Sequence, residues 1–483
     1  MVLREPGWYV QSIRDIKPRI YVAGERVRDP YEHPNTKPVL NAIAKTYELA
    51  LSPEHAHIAA AESHLTGEPI SRFNRVCLST EDLVKRTELN ILLSQKTGTC
   101  NYRCVGCDAL TALYSITYEM DQRLGTSYHE RLKAFLRHVQ GKDLACSGAL
   151  TDPKGDRRRR PKEQADPDLY LHVVEKRDDG IIVRGCKVHQ SGAFGVHEII
   201  VLPGMAFRPG EEEYAVAFAV PNGTRGLTFI MQETAQDAER RAAREEHTGL
   251  PDFGVRTTCM LVFDDVFVPW ERVFMCGEVE FTRELVMRFA SMHRTSGAAC
   301  KAGFGDVIIG AAYAIAEYNG LSGAHYIRGR LTDMIWANEA TRGLALAAAY
   351  RGIRTPSGAY VPDPVLANTA KLESVEAFTR LLVAASDIAG GLVVTMPSEA
   401  NLDSPDVGDW VRKYLVGTPE VPVEHRLRMF KFLQNWVAGP HLAGAIHGGG
   451  SPAAQKIALM ALSNLEAKKA LAEELAGIRE EKH

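Results

Sequence analysis

Near the middle of the chain, Leu169-Tyr170-Leu171-His172-Val173-Val174-Glu175 is followed by Arg177-Asp178-Asp179-Gly180 and then by Ile181-Ile182-Val183-Arg184-Gly185-Cys186-Lys187-Val188. Two runs rich in β-branched residues around an Asp-Gly turn predict a β-hairpin. Working outward, further strands are expected at Ile199–Leu202, Tyr214–Ala219, Leu227–Ile230 and Cys259–Phe263. Before about residue 145 the apolar spacing is helical, as over Asp82–Leu93 and Tyr102–Met120. After about residue 279 helices return: Glu280–Ala299, Gly305–Tyr318, Arg328–Tyr350, Pro364–Ala389 and Ala453–Ile478. The reading is an α+β chain with an N-terminal helical domain (1–145), a central β domain (146–278) and a C-terminal helical bundle (279–483). The strand–helix alternation of a doubly wound sheet is missing.

Composition narrows the function classes. The 483 residues are 45% hydrophobic and 24% charged, with a net charge of −3. Those values argue against disorder and against a field that collects nucleic acid or anionic lipid. The longest apolar run, Val307–Ala316, is about half the length a membrane span needs. The first residues show no apolar core of a signal peptide, so a cytoplasmic location is expected. Nine cysteines in such a chain point to metal ligation or reactivity before a disulfide framework. Lys154–Asp166, with Arg157-Arg158-Arg159-Arg160, and Asp237–Thr248 read as charged surface loops.

Cys100, Cys104 and Cys107 lie close together, and His293 and Cys300 lie seven apart. On helices these spacings put Cys100 with Cys104, and His293 with Cys300, on shared faces. Three thiols and an imidazole suit a structural zinc or a four-iron cluster; the same residues would also serve as small core side chains.

Several stretches carry a resemblance: Leu93-Ser94-Gln95-Lys96-Thr97, Cys104-Val105-Gly106, Thr151-Asp152-Pro153-Lys154-Gly155-Asp156-Arg157, His189-Gln190-Ser191-Gly192, Met292-His293-Arg294, Cys300-Lys301, Ala389-Gly390-Gly391-Leu392, Met396-Pro397-Ser398-Glu399 and His447-Gly448-Gly449-Gly450-Ser451-Pro452. From about Tyr21 to Ile478 the chain resembles the 4-hydroxybutyryl-CoA dehydratase branch of the family that includes 4-hydroxyphenylacetate 3-hydroxylase. The resemblance implies an acyl-CoA-dehydrogenase-like fold, a homotetramer, FAD, and a [4Fe–4S] cluster on Cys100, Cys104, His293 and Cys300. It places flavin contacts at Thr151, Asp152, Arg157, His189, Gln190 and Ser191, with Gly390, Gly391 and Glu399 from the bundle. It implies a lyase or isomerase that removes water from, or shifts a double bond in, a small-molecule hydroxyacyl thioester. His293 would be ligand and base, and Lys301 a partner of the leaving oxygen. A flavin-dependent monooxygenase of the hydroxylase type is the alternative.

The sequence departs from that branch at three places. Its catalytic tyrosine aligns with Gly297, and two active-site glutamates align with Thr258 and Gly444. These losses predict retained cofactors, an enlarged cavity and a changed substrate. Cys107 is an additional cysteine, and the arginines at 157–160 are candidates for CoA phosphates.

Overall fold

The computed structural model describes residues 3–233, 252–254, 256–437 and 449–478. Gly444, His447, Gly448 and the charged loop Asp237–Thr248 lie outside them.

Helices build the first part of the chain: Pro6–Ile16, Lys37–Leu51, Thr80–Thr97, Cys104–Leu124 and Tyr128–Lys142. Two short pairs interrupt them, β1 (Ile20–Val22) with β2 (Glu25–Val27), and β3 (Ala60–Glu62) with β4 (Pro69–Ser71). Ser79 Oγ accepts the Asp82 N–H at 3.1 Å and starts the Thr80–Thr97 helix. Gly98, in the left-handed region at φ 60°, ends it.

The middle of the chain holds two sheets. The larger has the order β2-β1-β10-β11-β7-β6, with β6 His172–Lys176, β7 Gly180–Ser191, β10 Leu227–Gln232 and β11 Thr258–Pro269. The smaller runs β12-β9-β8-β5, with β5 Cys146–Ala149, β8 Glu198–Val201, β9 Val216–Pro221 and β12 Val273–Cys276. The expected hairpin is β6–β7 around residues 177–179. β1 pairs in parallel with β10 through Ile20 and Phe229, so the N-terminal segment supplies two strands of the larger sheet. Three-residue strands carry too little alternation to be read from sequence. Phe218 of β9 and Phe263 of β11 meet edge-on between the sheets, centroids 6.0 Å apart, within a core shared with the Cys104–Leu124 helix.

One helix, Val279–Tyr318, covers the two helices expected over 280–318 and organises the bundle. Among the described residues it alone is long and apolar enough to cross a membrane, and it packs against the helices Thr80–Thr97, Cys104–Leu124, His325–Tyr350 and Pro364–Ala389. At Gly303 it lies so close to Thr80–Thr97 that any Cβ would run into the Ile91 carbonyl oxygen. That approach sets Cys300 beside the loop leaving the neighbouring helix. Asp363 caps Pro364–Ala389 through the Leu366 N–H at 2.8 Å. Proline takes the first helical position, where no donor is needed. The expected Ala453–Ile478 helix is two, Pro452–Leu462 and Leu465–Leu475, because Asn464 caps the second through the Ala467 N–H.

Candidate functional site

Cys100 does not share a helix with Cys104. The first helix stops at Thr97 and the next begins at Cys104, so the sequence expectation is corrected: a loop, not a helical face, brings the two thiols together. Asn101 shapes it, its Oδ1 accepting the N–H groups of Arg103 at 3.0 Å and Cys104 at 2.9 Å. Tyr102 turns through the left-handed region at φ 59°, and its N–H points at Cys100 Sγ, 3.4 Å away. The hydrogen bond from Cys104 lowers Cys100 to about 6 and raises Cys104, so Cys100 is the thiol that ionises first.

His293 and Cys300 share the long helix as expected. Cys300, pushed up to about 11 by burial, interacts electrostatically with Cys100, and Asn101 Nδ2 lies 4.0 Å from its Sγ. His293 also feels Cys100, and burial pushes its imidazole down to about 3. Its ring stacks on Phe289 at 5.5 Å, and its Nδ1 is 2.8 Å from Asp108 Oδ2. Three thiols and an imidazole from the loop and two helices therefore gather at one place. Among the described residues no group of three or more His, Cys, Asp or Glu is close enough to hold a single metal ion. Cys107 faces elsewhere, accepting from Arg86 Nε at 3.2 Å.

The β domain borders this loop. Gly192, at φ 55°, has no room for a Cβ against the Tyr102 ring, and the Thr257 N–H donates to the Tyr102 hydroxyl at 3.3 Å. His189 is exposed and adopts φ 61°. It sits where β7 shifts register against β11, a bulge that turns a side chain out of the sheet. Ser191 pairs with Thr258 across the strands, and its Oγ accepts from Arg256 Nε and Nη2 at 3.0 and 2.8 Å. Thr258 donates to Gln232 Oε1 at 2.7 Å. Gln190 Nε2 is taken up by the Val188 carbonyl at 2.5 Å.

The Thr151 carbonyl accepts from the Val188 N–H at 2.7 Å, placing the Thr151–Arg157 segment beside His189. Asp152 has an internal partner: its Oδ1 is 2.7 Å from Lys187 Nζ, and both side chains are 2% exposed. Burial raises Asp152 and lowers Lys187, and each partially offsets the other's shift. Of the arginine run, Arg158 and Arg159 share the single carboxylate of Asp156 and Arg160 pairs with Glu211, while Arg157, Arg158 and Arg159 are all exposed.

Gly390, Gly391 and Glu399 are not gathered here within one chain. Lys371 stands at the site, and Gly390 caps the far end of the same helix. At about 1.5 Å per residue, that end is about 28 Å away. Gly390 and Gly391 are exposed, and Glu399 pairs with Arg428 at 2.5 Å.

Gly297 does not open the expected empty volume. The buried Lys371 side chain crosses it, Cδ and Cε lying 3.6 and 3.7 Å from where a Cβ would stand, and passes close to Gly449 on its other side. Lys301 Nζ donates to the Gly297 carbonyl at 3.3 Å. Burial lowers Lys301 to about 8 and Lys371 to about 5, with each other, Arg256 and Arg294 as neighbours. Sequence reading missed Asp108, Arg86, Arg256 and Lys371. The available signal was a carboxylate four residues after Cys104, and a lysine inside the apolar stretch of a bundle helix.

Profiles of the 4-hydroxyphenylacetate 3-hydroxylase N-terminal and C-terminal domains match residues 7–275 and 282–477, so the chain belongs to that family. Within it, the chain is 40% identical to the 4-hydroxybutyryl-CoA dehydratase/vinylacetyl-CoA-Δ-isomerase of Clostridium aminobutyricum, over 98% of this chain and 99% of that one. The structure of an oxygen-tolerant archaeal 4-hydroxybutyryl-CoA dehydratase from N. maritimus superposes with a TM-score of 0.96 at 38% identity, covering 100% of this chain and 96% of the other. The oxygenase component of 4-hydroxyphenylacetate 3-monooxygenase from Thermus thermophilus is 25% identical over 88% of this chain and 86% of its own. The monooxygenase relatives are thus distant, and the similarity supports an enzyme of the dehydratase and isomerase kind.

Proposed function

We propose that this protein is an FAD- and [4Fe–4S]-dependent dehydratase/isomerase acting on a hydroxyacyl-CoA-type substrate other than 4-hydroxybutyryl-CoA. One observation carries the reading: the pair Cys100 and Cys104 and the pair His293 and Cys300, distant from each other in sequence, meet beside residues 189–191 at the end of β7. A donor set of three thiols and one imidazole suits an iron–sulfur core, and Cys100, Cys104, Cys300 and His293 Nε2 would hold it. When bound, the two groups supply a Lewis-acidic iron and one-electron flavin chemistry. The bulge at His189, with Thr151, Gln190 and Ser191, would face the flavin, and Arg157 is an exposed cation of its segment that could meet a phosphate.

The chain's own groups handle the protons. In this reading His293 Nε2 would act as the base for the proton acidified by the thioester carbonyl only when released from the iron, since its one lone pair cannot do both, and Lys301 Nζ donates to the departing oxygen. Lys371, filling the space over Gly297, reshapes the wall that substrate meets, which supports the changed specificity. The end of the bundle that carries the exposed Gly390 and Gly391, with Glu399, is assigned to a neighbouring subunit's flavin in a cytoplasmic homotetramer.

Anaerobic assays with 4-hydroxybutyryl-CoA and with longer and branched hydroxyacyl thioesters test this, following water loss by mass. Turnover is expected on a hydroxyacyl thioester other than 4-hydroxybutyryl-CoA. A fast rate on 4-hydroxybutyryl-CoA would overturn the changed substrate, and oxygen-dependent phenol hydroxylation with reduced flavin would overturn the reaction class.

A further inference from the structure

Asp108 sits four residues after Cys104 on the same helix and is fully buried. One of its oxygens faces His293 Nδ1 at 2.8 Å; the other is engaged by the Arg86 guanidinium and by Ser296 Oγ at 3.4 Å. Arg86 is itself held, donating to Ser296 Oγ at 2.7 Å and to Cys107 Sγ at 3.2 Å. Ser296 also accepts from Asn90 Nδ2 at 3.3 Å, and Asn90 Oδ1 accepts from Asn101 Nδ2 at 3.0 Å. Asn101 is the residue that shapes the loop between Cys100 and Cys104. A continuous chain of buried polar contacts thus runs from the cysteine loop to the imidazole, through three helices.

We propose that Asp108, backed by Arg86 and Cys107, is the positioning residue that fixes the His293 ring, with Nδ1–H donated to the carboxylate and Nε2 presented to the iron–sulfur site. A carboxylate can only accept here, so it selects the tautomer whose Nε2 carries the lone pair. Arg86 shares that carboxylate, which limits how much basicity Asp108 lends the ring. This also gives Cys107 a use: it anchors the guanidinium and adds no fifth ligand. The inference rests on His293 being a cluster ligand, as proposed above.

The test compares anaerobically prepared, full-length wild type, Asp108→Asn, Asp108→Glu and the double variant Asp108→Asn/Arg86→Gln. The readouts are iron and flavin per chain, the EPR spectrum, and the rate at which EDTA removes the first iron. With Arg86 and Ser296 donating to its oxygen, an asparagine at 108 turns its NH2 toward Nδ1 and favours the Nε2–H tautomer, which cannot ligate. Asp108→Asn is expected to hold the first iron about 10–100-fold more weakly, read as faster loss to EDTA, and to show a three-iron EPR signal after one-electron oxidation with ferricyanide, with flavin content unchanged. Asp108→Glu is expected to recover most of the fourth iron. The double variant removes both buried charges, so it reports on the imidazole even where the single variant fails to fold. Four irons in either asparagine variant, lost no faster than from wild type, would overturn the proposal and leave the cluster reading intact. Wild type free of iron would overturn the cluster reading itself and this inference with it.

Discussion

Lys187→Met is the perturbation whose cost the structure fixes best. Three oxygens surround the buried ammonium, Asp152 Oδ1 at 2.7 Å and the carbonyls of Leu150 and Leu202 at 2.9 and 3.0 Å. The lysine thus ties β7 to the ends of β5 and β8. Methionine fills the volume and leaves a buried carboxylate alone. Breaking a buried pair from one side costs about 3–5 kcal/mol. A second route sets an upper bound: holding Asp152 protonated at pH 7, against an unfolded value near 3.9, costs at most about 4 kcal/mol, less what its raised carboxyl already costs the wild type. In the variant the folded-state pKa of Asp152 is raised further above its unfolded value, so the lost stability grows as pH rises and shrinks as pH falls. At pH 5 the deficit drops to at most about 1.5 kcal/mol. Urea unfolding followed by tryptophan fluorescence at pH 7 and pH 5 measures both numbers. Asp152→Asn/Lys187→Met is expected to recover more than half of the pH 7 loss. A Lys187→Met midpoint within about 1 kcal/mol of wild type at pH 7, or a deficit that does not shrink at pH 5, would refute the reasoning.

Other perturbations have signs set by the same physics. Burial pushes His197 down to about 3, its Nδ1 accepting from the Ala145 N–H at 2.9 Å and its Nε2 2.8 Å from Ser12 Oγ. The unfolded chain takes up a proton near pH 6.5 and the folded chain does not, so stability falls between pH 6.5 and about 3, by about 2 kcal/mol at pH 5 from this group. His197→Gln is expected to flatten that part of the pH–stability curve, and an unchanged slope would contradict it. Gly297→Ala meets only methylenes of Lys371 at ordinary contact distance and is expected to gain up to about 1 kcal/mol of helix propensity. Gly305→Ala runs into the Asn338 amide, which bonds the Ala302 carbonyl and Asp306, and is expected to lose about 1–3 kcal/mol; thermal unfolding separates the two.

Much of this arrangement is legible in sequence because its signals are local. The β6–β7 hairpin follows from β-branched runs around an Asp-Gly turn, and His293 with Cys300 from their spacing inside an unbroken helical pattern. Cys100 shows where local signals stop. Its distance from Cys104 suggests a helix, yet Gly98 and Tyr102 both turn left-handed, and periodicity does not report the sign of φ. β1 is too short to announce a strand and depends on β10, far later in the chain. Asp108 reads as one acid on an apolar helix until Arg86 and His293 close around it, and neither neighbour is encoded nearby. Lys371 is the same case: its burial is decided by bare backbone at Gly297 and Gly449, on two other segments.

The central claim is that Cys100, Cys104, His293 and Cys300 hold an iron–sulfur core next to a flavin. Iron, acid-labile sulfide and flavin counted on anaerobically purified wild-type protein test it most directly. The account predicts about four irons and four sulfides with one flavin per chain, the one-to-one stoichiometry of a [4Fe–4S] core. Stoichiometric zinc, or flavin with neither iron nor sulfide, would contradict it.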